Sequence, residues 1–192
     1  MCGIFGLVDL DGAIRSGDCD LVRRGVGLLK HRGPDECGVV THGQVCLGHT
    51  RLSIIDLASG QQPMASVEGS GLIAYNGEVY NFPALHDELA GVGRRFATRS
   101  DTEVVLQALL TWGPGAVARL RGMFAFAVVD HDRGVVTLAR DRLGIKPLYY
   151  TVRDRRLIWS SELEPLYRTA GPFAMDPEAL EFCLVPESVR MR

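Results

Sequence analysis

The fold is decided at the amino terminus, which reads Met1-Cys2-Gly3-Ile4-Phe5-Gly6. The apolar run continues to Val8, and Asp9-Leu10-Asp11-Gly12 then supplies residues that favour a turn. This pattern predicts a strand that begins almost at the first residue and ends in a turn. We therefore expect this strand to hold residue 2 inside the fold.

Further along the chain, helical patterns appear in clusters. Apolar residues from Leu21 to Leu29 recur at helical spacing until a Gly-Pro pair breaks the pattern. A second helix is expected after Asn81. A third is expected after Ser100, because Ser100 and Glu103 form an S-x-x-E capping box. Asp101 is therefore predicted to lie in the first turn of a helix.

Strand patterns dominate the rest of the chain. Short strands are predicted at residues 39–40, 45–47 and 72–75, and two hairpins at residues 124–139 and 148–159. One short helix is expected after Gly171-Pro172. Strands and helices do not alternate strictly, so an α+β fold with mostly antiparallel sheets is favoured over a doubly wound fold.

The charge balance gives no support for a nucleic-acid or membrane partner. The 192 residues include 21 basic and 23 acidic side chains, for a net charge of −2, and a basic surplus is the usual mark of both partners. The longest apolar stretch, Met123 to Val129, is far shorter than the roughly 20 residues that span a bilayer. The amino terminus lacks the features of a secretory signal, so we expect a cytoplasmic protein.

The five cysteines, at positions 2, 19, 37, 46 and 183, are odd in number and contain no C-x-x-C pair. They are expected to stay reduced thiols rather than to form a disulfide framework. Cys37, His42, Cys46 and His49 leave a zinc site open as an alternative, although their spacing is not that of a zinc finger. The favoured interpretation is that they are buried small side chains and surface histidines, with no metal.

Cys2 is a candidate nucleophile because of its position. Taken alone, a cysteine is more often an inert small hydrophobe. Removal of Met1 would give residue 2 both a thiol and a free α-amine, whose ordinary pKa values of about 8.5 and about 7.7 to 8.0 lie close together. A terminal amine can then accept the proton of its own side chain, so no separate catalytic histidine is required.

Asn76-Gly77-Glu78 follows a predicted strand and offers two candidate oxyanion donors, the Asn76 amide and the Gly77 N–H. The alternative is a hairpin turn, for which Asn-Gly is a strong signal. A turn can also carry an oxyanion hole, so the two interpretations are compatible.

Three charged residues suit the two charged ends of a free amino acid. The Arg51 guanidinium can bind a carboxylate through two hydrogen bonds, and Glu78 and Asp101 can hold an ammonium group. The alternatives are a surface salt bridge for Arg51, turn chemistry for Glu78 and helix capping for Asp101.

Taken together, these residues resemble the class II, N-terminal-nucleophile glutamine amidotransferases, and most closely the glutaminase domain of asparagine synthetase B. The matching stretches begin with residues 1–6 and occur in one order along the chain. The remaining five are His31-Arg32-Gly33-Pro34-Asp35, Arg51-Leu52-Ser53-Ile54, Asn76-Gly77-Glu78-Val79-Tyr80-Asn81, Ser100-Asp101-Thr102-Glu103 and residues 140–150. Each piece is weak alone, but the joint pattern is highly specific.

The resemblance implies a four-layer αββα fold with two mostly antiparallel sheets between helical layers. It implies that Cys2 attacks the side-chain amide of L-glutamine and forms a glutamyl thioester, while Asn76 and the Gly77 N–H stabilise the oxyanion. It also implies how the substrate is bound. Arg51 would hold the α-carboxylate, Glu78 and Asp101 the α-amine, and backbone groups of Leu52, Ser53, Ile54 and Ile55 would complete the pocket.

The resemblance covers residues 1–185, whereas residues 186–192 resemble the start of a linker to a synthetase domain of the ATP-pyrophosphatase type. ATP and Mg²⁺ are expected only in that domain, and no cofactor or metal is expected in this one. The expected partners are L-glutamine and a synthetase domain or subunit that accepts ammonia, and a homodimer is possible. The alternatives are a stand-alone glutaminase and a non-catalytic module of the same fold.

Overall fold

The computed structural model describes residues 1–52 and 60–174. Within them it contains nine strands and four α-helices, and Pro114–Arg119 forms a 3₁₀ helix. The strands are β1 (Gly3–Asp9), β2 (Glu36–His42), β3 (Val45–Arg51), β4 (Met64–Ala65), β5 (Gly71–Val79), β6 (Gly122–Asp130), β7 (Val135–Arg140), β8 (Tyr149–Arg153) and β9 (Arg156–Ser160). The helices are α1 (Ser16–Leu28), α2 (Phe82–Gly91), α3 (Asp101–Trp112) and α4 (Leu163–Ala170).

The strands form two sheets in which every pairing is antiparallel. One sheet has the order β2-β3-β1-β9-β8, with β1 at its centre, and the other has the order β4-β5-β6-β7. The predicted first strand is confirmed, and its central position explains why its residues are buried. The two predicted hairpins are confirmed as β6-β7 and β8-β9.

Three apolar clusters show that the layers are stacked in the order helix, sheet, sheet, helix. The middle cluster lies between the two sheets and includes Ile4, Leu47, Ala74 and Trp159. A second cluster packs α2 and α3 against the four-stranded sheet, and a third packs α1 and α4 against the five-stranded sheet. The expected αββα architecture is therefore confirmed.

Within the five-stranded sheet, Gly6 of β1 pairs with Trp159 of the neighbouring strand β9. A Cβ added to Gly6 would lie 2.2 Å from a ring carbon of Trp159, so only glycine leaves room for the buried indole. The motif glycine at position 6 is thus explained by the Trp159 ring, which occupies the space that a side chain at position 6 would need.

Strand β5 differs from the expectation in a way that matters for the site. It extends to Val79, so Asn76-Gly77-Glu78 lies inside the strand and pairs with β6. The hairpin-turn interpretation of Asn-Gly is therefore wrong, as is the expectation that the tripeptide follows a strand. Pairing along the whole of β6 stabilises the extended backbone and overrides the local turn preference.

Three other local expectations change. Helix α4 was not anticipated, because it is short and carries Pro165 in its first turn, where proline is tolerated.

The Ser100 hydroxyl caps α3 by accepting the Glu103 N–H, but the Glu103 carboxylate accepts from the N–H groups of Ala97 and Thr98 instead of Ser100. The capping box is therefore only half formed. The helix expected after Pro172 falls largely at residues 175–192, outside the described part.

The zinc alternative is wrong for a geometric reason. Cys46 and His49 lie on strand β3 at odd separation, and neighbouring strand residues point to opposite faces. Cys46 packs under α1, whereas His49 bonds to strand β5 of the other sheet. Among the described residues, no group of three or more His, Cys, Asp or Glu side chains is placed to hold a metal ion.

Candidate active site

A cavity of about 130 Å³ opens at the ends of β1, β3 and β5 and the start of α3. Seven of the residues singled out in the sequence meet at its wall. They are Cys2, Arg51, Leu52, Asn76, Gly77, Glu78 and Asp101. Ser53, Ile54 and Ile55 lie outside the described residues.

Cys2 is held by its backbone at the start of β1. The Arg32 side chain donates from Nε to the Cys2 carbonyl oxygen at 2.9 Å, and its NH1 pairs with Glu162 at 2.8 Å. The next residues are fixed by Ser161, whose Oγ accepts the Ile4 N–H at 2.9 Å. Burial works to raise the pKa of Glu162, but hydrogen bonds from Arg32 and His31 hold it below its ordinary value.

The Cys2 thiol lies on the cavity wall, 3.8 Å from the Leu52 carbonyl oxygen. Met1 also lines the cavity and is 56% exposed, and its sulfur accepts a contact from Lys146 Nζ at 3.7 Å. Cys46 offers a contrast, because burial raises the pKa of its thiol to about 11 and keeps it protonated. Of these two cysteines, only Cys2 combines a half-buried thiol with an adjacent cavity.

The alternation of side chains along β5 explains how one strand supplies both core and site residues. Ile73, Tyr75 and Val79 point toward helices α2 and α3, while Leu72 and Ala74 point toward the other sheet. By the same alternation Asn76 and Glu78 face the sheet that carries Cys2 and Arg51. Asn76 is 2% exposed, and within the described structure its Nδ2 has no hydrogen-bond partner.

The Gly77 N–H points away from β6 into the open edge of β5. Phe124, which faces Gly77 on β6, turns its own N–H and carbonyl to Asp141 on the far side. The neighbours in step with Gly77 donate outward: Tyr75 N–H to Gln62 Oε1 and Val79 N–H to Asp101 Oδ2. Since alternate N–H groups of an antiparallel strand share one direction, the Gly77 N–H also points outward, toward the cavity.

Arg51 and Asp101 stand on different elements around the cavity. Arg51 is the last residue of β3, is 4% exposed, and pairs with Glu36 at 3.1 Å. The expected alternative, a surface salt bridge, is therefore wrong for the arginine, which is buried. Asp101 Oδ2 accepts from the Tyr75 hydroxyl at 2.7 Å and from the Val79 N–H at 2.9 Å.

Around one small cavity lie a thiol, a buried cation, two carboxylates and two N–H donors, and the two donors have no strand or side-chain acceptor among the described residues. The family comparison gives it a context. A family model described as a glutamine amidotransferase domain matches residues 1–191. The chain belongs to this family.

Named relatives of the amidotransferase domain agree with the match. The glutamine-hydrolysing asparagine synthetase 1 of Bacillus subtilis (strain 168) is 38% identical over 97% of this chain and 30% of its own length. The glutamine-hydrolysing asparagine synthetase B of Escherichia coli (strain K12) is 38% identical over 90% of this chain and 32% of its own length. Amidase chry2 of Gibberella zeae is 37% identical over 93% of this chain and 27% of its own length. The amidotransferase domain thus spans about a third of the length of these curated relatives.

Solved structures share the fold at lower identity. The glutamine phosphoribosylpyrophosphate amidotransferase of B. subtilis, solved with ADP and GMP, matches 86% of this chain and 43% of its own chain with a TM-score of 0.69 and 20% identity. A structure described as the allosteric regulatory enzyme of purine biosynthesis gives the same TM-score at 21% identity.

Several residues of the amidotransferase site were not identified from the sequence. Tyr75, Gln62 and Lys146 line the cavity, and Arg32 holds Cys2 from outside it. Arg32 and Lys146 fall within the quoted motif stretches, so their presence there was the available signal. Tyr75 carried no signal, because an aromatic residue on a strand predicts only a core position.

Within residues 1–52 and 60–174, no helix has both the length and the apolar character that crossing a bilayer requires.

Proposed function

We propose that this amidotransferase domain hydrolyses L-glutamine through Cys2 and supplies the ammonia to a synthetase. The observation that carries the proposal is the meeting of Cys2, Arg51, Asn76, Gly77 and Asp101 around one cavity, although they come from four separate elements. Family membership supports the same reaction. The names of two relatives include glutamine hydrolysis.

The reaction begins when the Cys2 sulfur attacks the side-chain amide carbon of L-glutamine. The amide oxygen becomes an oxyanion, which the Asn76 Nδ2 and the Gly77 N–H are positioned to stabilise. The carbon–nitrogen bond then breaks, and ammonia leaves with the proton that the thiol gave up. Water hydrolyses the remaining thioester, which releases glutamate and restores the thiol.

Proton transfer in this scheme is assigned to the α-amine of Cys2. The amine exists only after Met1 is removed, and Met1 now lines the cavity beside Lys146. Its removal would therefore both open the cavity and place a base on the residue that carries the nucleophile.

Substrate binding follows from the charges at the cavity wall. Arg51 binds the α-carboxylate of L-glutamine, and Asp101 together with Glu78 binds the α-ammonium group. Leu52, Ser53, Ile54 and Ile55 contribute backbone groups to the same pocket.

The proposal is tested by measuring glutamate and ammonia release from L-glutamine with untagged protein whose mass shows that Met1 is absent. Cys2→Ala is expected to abolish release and leave the unfolding transition unchanged, because it removes the nucleophile and few buried atoms. Cys37→Ala is the matched control, since Cys37 is an exposed thiol outside the cavity and should retain full turnover. Release by Cys2→Ala at the wild-type rate would disprove the role of Cys2.

A second variant tests the amine. Protein with an uncleavable residue before Cys2 is expected to lose turnover while its thiol still reacts with iodoacetamide. Normal turnover by this protein would show that the amine is not the base.

The synthetase partner is proposed from an exposed apolar face near residues 140–173. Leu143 is 86% exposed, and Tyr150 and Leu163, further along the chain, are 69% and 59% exposed. Tyr150 and Leu163 both line a cavity of about 570 Å³, together with Tyr149 and Phe173, among others. An exposed apolar surface of this kind is typical of a contact with another domain, and the relatives are about three times as long as this chain.

A chimera tests this partner. Residues 1–192 would replace the aligned segment of the B. subtilis asparagine synthetase 1, and asparagine formation would be measured with L-glutamine and with ammonium as nitrogen source. We expect both sources to work in the chimera, whereas adding Leu143→Glu and Tyr150→Glu should reduce only the glutamine-dependent reaction. Val67→Glu and Val92→Glu, at exposed sites elsewhere, are the control. Full glutamine-dependent activity with the altered face would favour a different docking surface.

A further inference from the structure

Tyr75 is the one tyrosine of the cavity wall that is almost completely buried, at 3% exposure, among the residues that the structure describes. Three of its polar groups are fixed by partners on three different segments. Its N–H donates to Gln62 Oε1 at 2.7 Å, its carbonyl oxygen lies 2.9 Å from His49 Nε2, and its hydroxyl donates to Asp101 Oδ2 at 2.7 Å. Tyr75 therefore fixes the position of β5 relative to β3 and to the start of α3.

The His49 contact connects Tyr75 to the strand that carries Arg51. His49 is 1% exposed and stands two residues before Arg51 on β3, so both side chains are on the same face of the strand. A carbonyl oxygen can only accept, so Nε2 must carry the proton and donate to Tyr75. Burial lowers the pKa of His49 to about 4, with the Arg51 charge acting in the same direction, and the imidazole therefore stays neutral.

The hydroxyl contact connects the same residue to the start of α3. Both hydrogen bonds to the Asp101 carboxylate, from the Tyr75 hydroxyl and the Val79 N–H, end on Oδ2. Oδ1 accepts none from the described residues, although Asp101 lines the cavity. The two donors thus fix the rotation of the carboxylate and leave one oxygen for a ligand in the cavity.

The hydroxyl is a dependable donor. Burial, together with the neighbouring Asp101 carboxylate, raises the pKa of Tyr75 well above its ordinary value. The phenol therefore stays protonated and can donate its hydrogen to the Asp101 carboxyl group.

We propose that Tyr75 is a positioning residue that holds Asp101 in register with Arg51, so that the cavity recognises the α-ammonium and the α-carboxylate of one amino acid together. The chain of contacts runs from Arg51 along β3 to His49, across to the Tyr75 backbone, and through its ring to Asp101. This inference rests on the proposed glutamine hydrolysis and names the residue that makes the site selective for an α-amino acid over a simple carboxylate.

The test compares L-glutamine with 4-carbamoylbutanoate, which has the same amide and carboxylate but no α-amino group. Tyr75→Phe removes only the hydroxyl oxygen. We expect it to raise the KM for L-glutamine about tenfold and to leave kcat within about twofold, because a hydrogen bond to a charged group is lost. For 4-carbamoylbutanoate kcat/KM should be unchanged, since that substrate does not use Asp101.

A double-mutant cycle adds a readout that general loosening of the fold would not give. In an Asp101→Asn background, Tyr75→Phe should cause no further loss with L-glutamine, because the ammonium contact is already gone. Tyr80→Phe is the matched control, since Tyr80 is 63% exposed and outside this cavity, and it should behave as wild type.

Two kinetic outcomes would overturn the inference. An equal loss of kcat/KM for both substrates would show that Tyr75 only supports the strand, and wild-type kinetics would show that its hydroxyl is dispensable. If the unaltered protein gives no turnover, binding of both ligands to Cys2→Ala by calorimetry replaces the kinetics. Selective binding of L-glutamine that Tyr75→Phe abolishes would then support the inference without hydrolysis, whereas binding of neither ligand would contradict both proposals.

Discussion

Asn76 is an unusual buried residue because its side-chain nitrogen has no partner within the described structure. Leaving a buried donor unsatisfied costs about 1 to 3 kcal/mol. Such a cost is understandable where the donor is needed by a reacting group, and Asn76 and Cys2 line the same cavity. By contrast, both polar groups of the Asn81 side chain are bonded. Its Nδ2 donates to the Arg119 carbonyl oxygen, and its Oδ1 accepts the Arg121 N–H.

The two asparagines give a prediction at the scale of the residue. Asn76→Ala should lower kcat for glutamine by about 10²- to 10³-fold, as expected for the loss of an oxyanion donor, and should not lower the free energy of unfolding, because removal of the unsatisfied buried nitrogen offsets the loss of side-chain packing. Asn81→Ala should lower the free energy of unfolding by about 1 to 2 kcal/mol and leave kcat unchanged. Steady-state kinetics and urea unfolding measure both effects. If both variants lost activity and stability together, Asn76 would be a structural residue.

At the scale of the element, strand β5 requires glycine at position 77 for close pairing. A Cβ there would lie 2.4 Å from the Met123 carbonyl oxygen and 2.7 Å from the Phe124 Cα, both backbone atoms that cannot move aside cheaply. Glycine at position 77 therefore allows β5 to pair closely with β6, and the pairing directs the Gly77 N–H to the cavity. The Asn-Gly pair in isolation predicts a turn.

Replacing Gly77 by alanine should accordingly push β5 away from β6. We expect Gly77→Ala to lower the free energy of unfolding by about 1 to 3 kcal/mol, in the range of other overpacking changes, and to reduce glutamine turnover as well. Gly27→Ala is the matched control, since it lies in α1 with no atom within 4 Å of the added Cβ. It should raise stability by about 0.5 to 1 kcal/mol, as expected for Gly to Ala within a helix. Equal stability of the two variants in urea would contradict the close approach at Gly77.

At the scale of the whole molecule, His49 is a polar link between the two sheets. Its ring lies on β3 of the five-stranded sheet and bonds to Tyr75 on β5 of the other. Burial lowers its pKa to about 4, from an ordinary value of 6.5. The unfolded chain therefore binds a proton on this residue more readily than the folded chain does, so stability falls as the pH drops below 6.5.

The size of this effect can be measured between pH 6.5 and pH 5, above the range where the carboxylates titrate. For the pKa of about 4 in the folded state, linkage gives a loss of about 1.5 kcal/mol in the free energy of unfolding over this interval. His49→Gln keeps a donor for the Tyr75 carbonyl but cannot take up a proton, and it should remove most of that loss. Part of the remaining slope should come from His131, whose pKa is lowered by burial and by its ring contact with His42. An unchanged slope in His49→Gln would show that His49 does not titrate in this way.

The sequence by itself determined those elements whose formation depends on residues that are close together in the chain. The first strand, the hairpin turns and the Ser100 cap were predicted because they depend on neighbouring residues. The αββα fold came from the resemblance rather than from periodicity, and seven of the described motif residues, far apart in the chain, line one cavity.

The tertiary structure decided what depends on pairing and burial. Only the β5-β6 register makes Asn76-Gly77 part of a strand, and only the stacking of the two sheets brings His49 onto Tyr75. The tertiary structure also decides the partner of Asp101. Tyr75, which lies 26 residues earlier in the chain, donates its hydroxyl to the Asp101 carboxylate at the start of α3. Side-chain periodicity shows which face a residue occupies but not which distant group meets it, since that depends on how the layers pack.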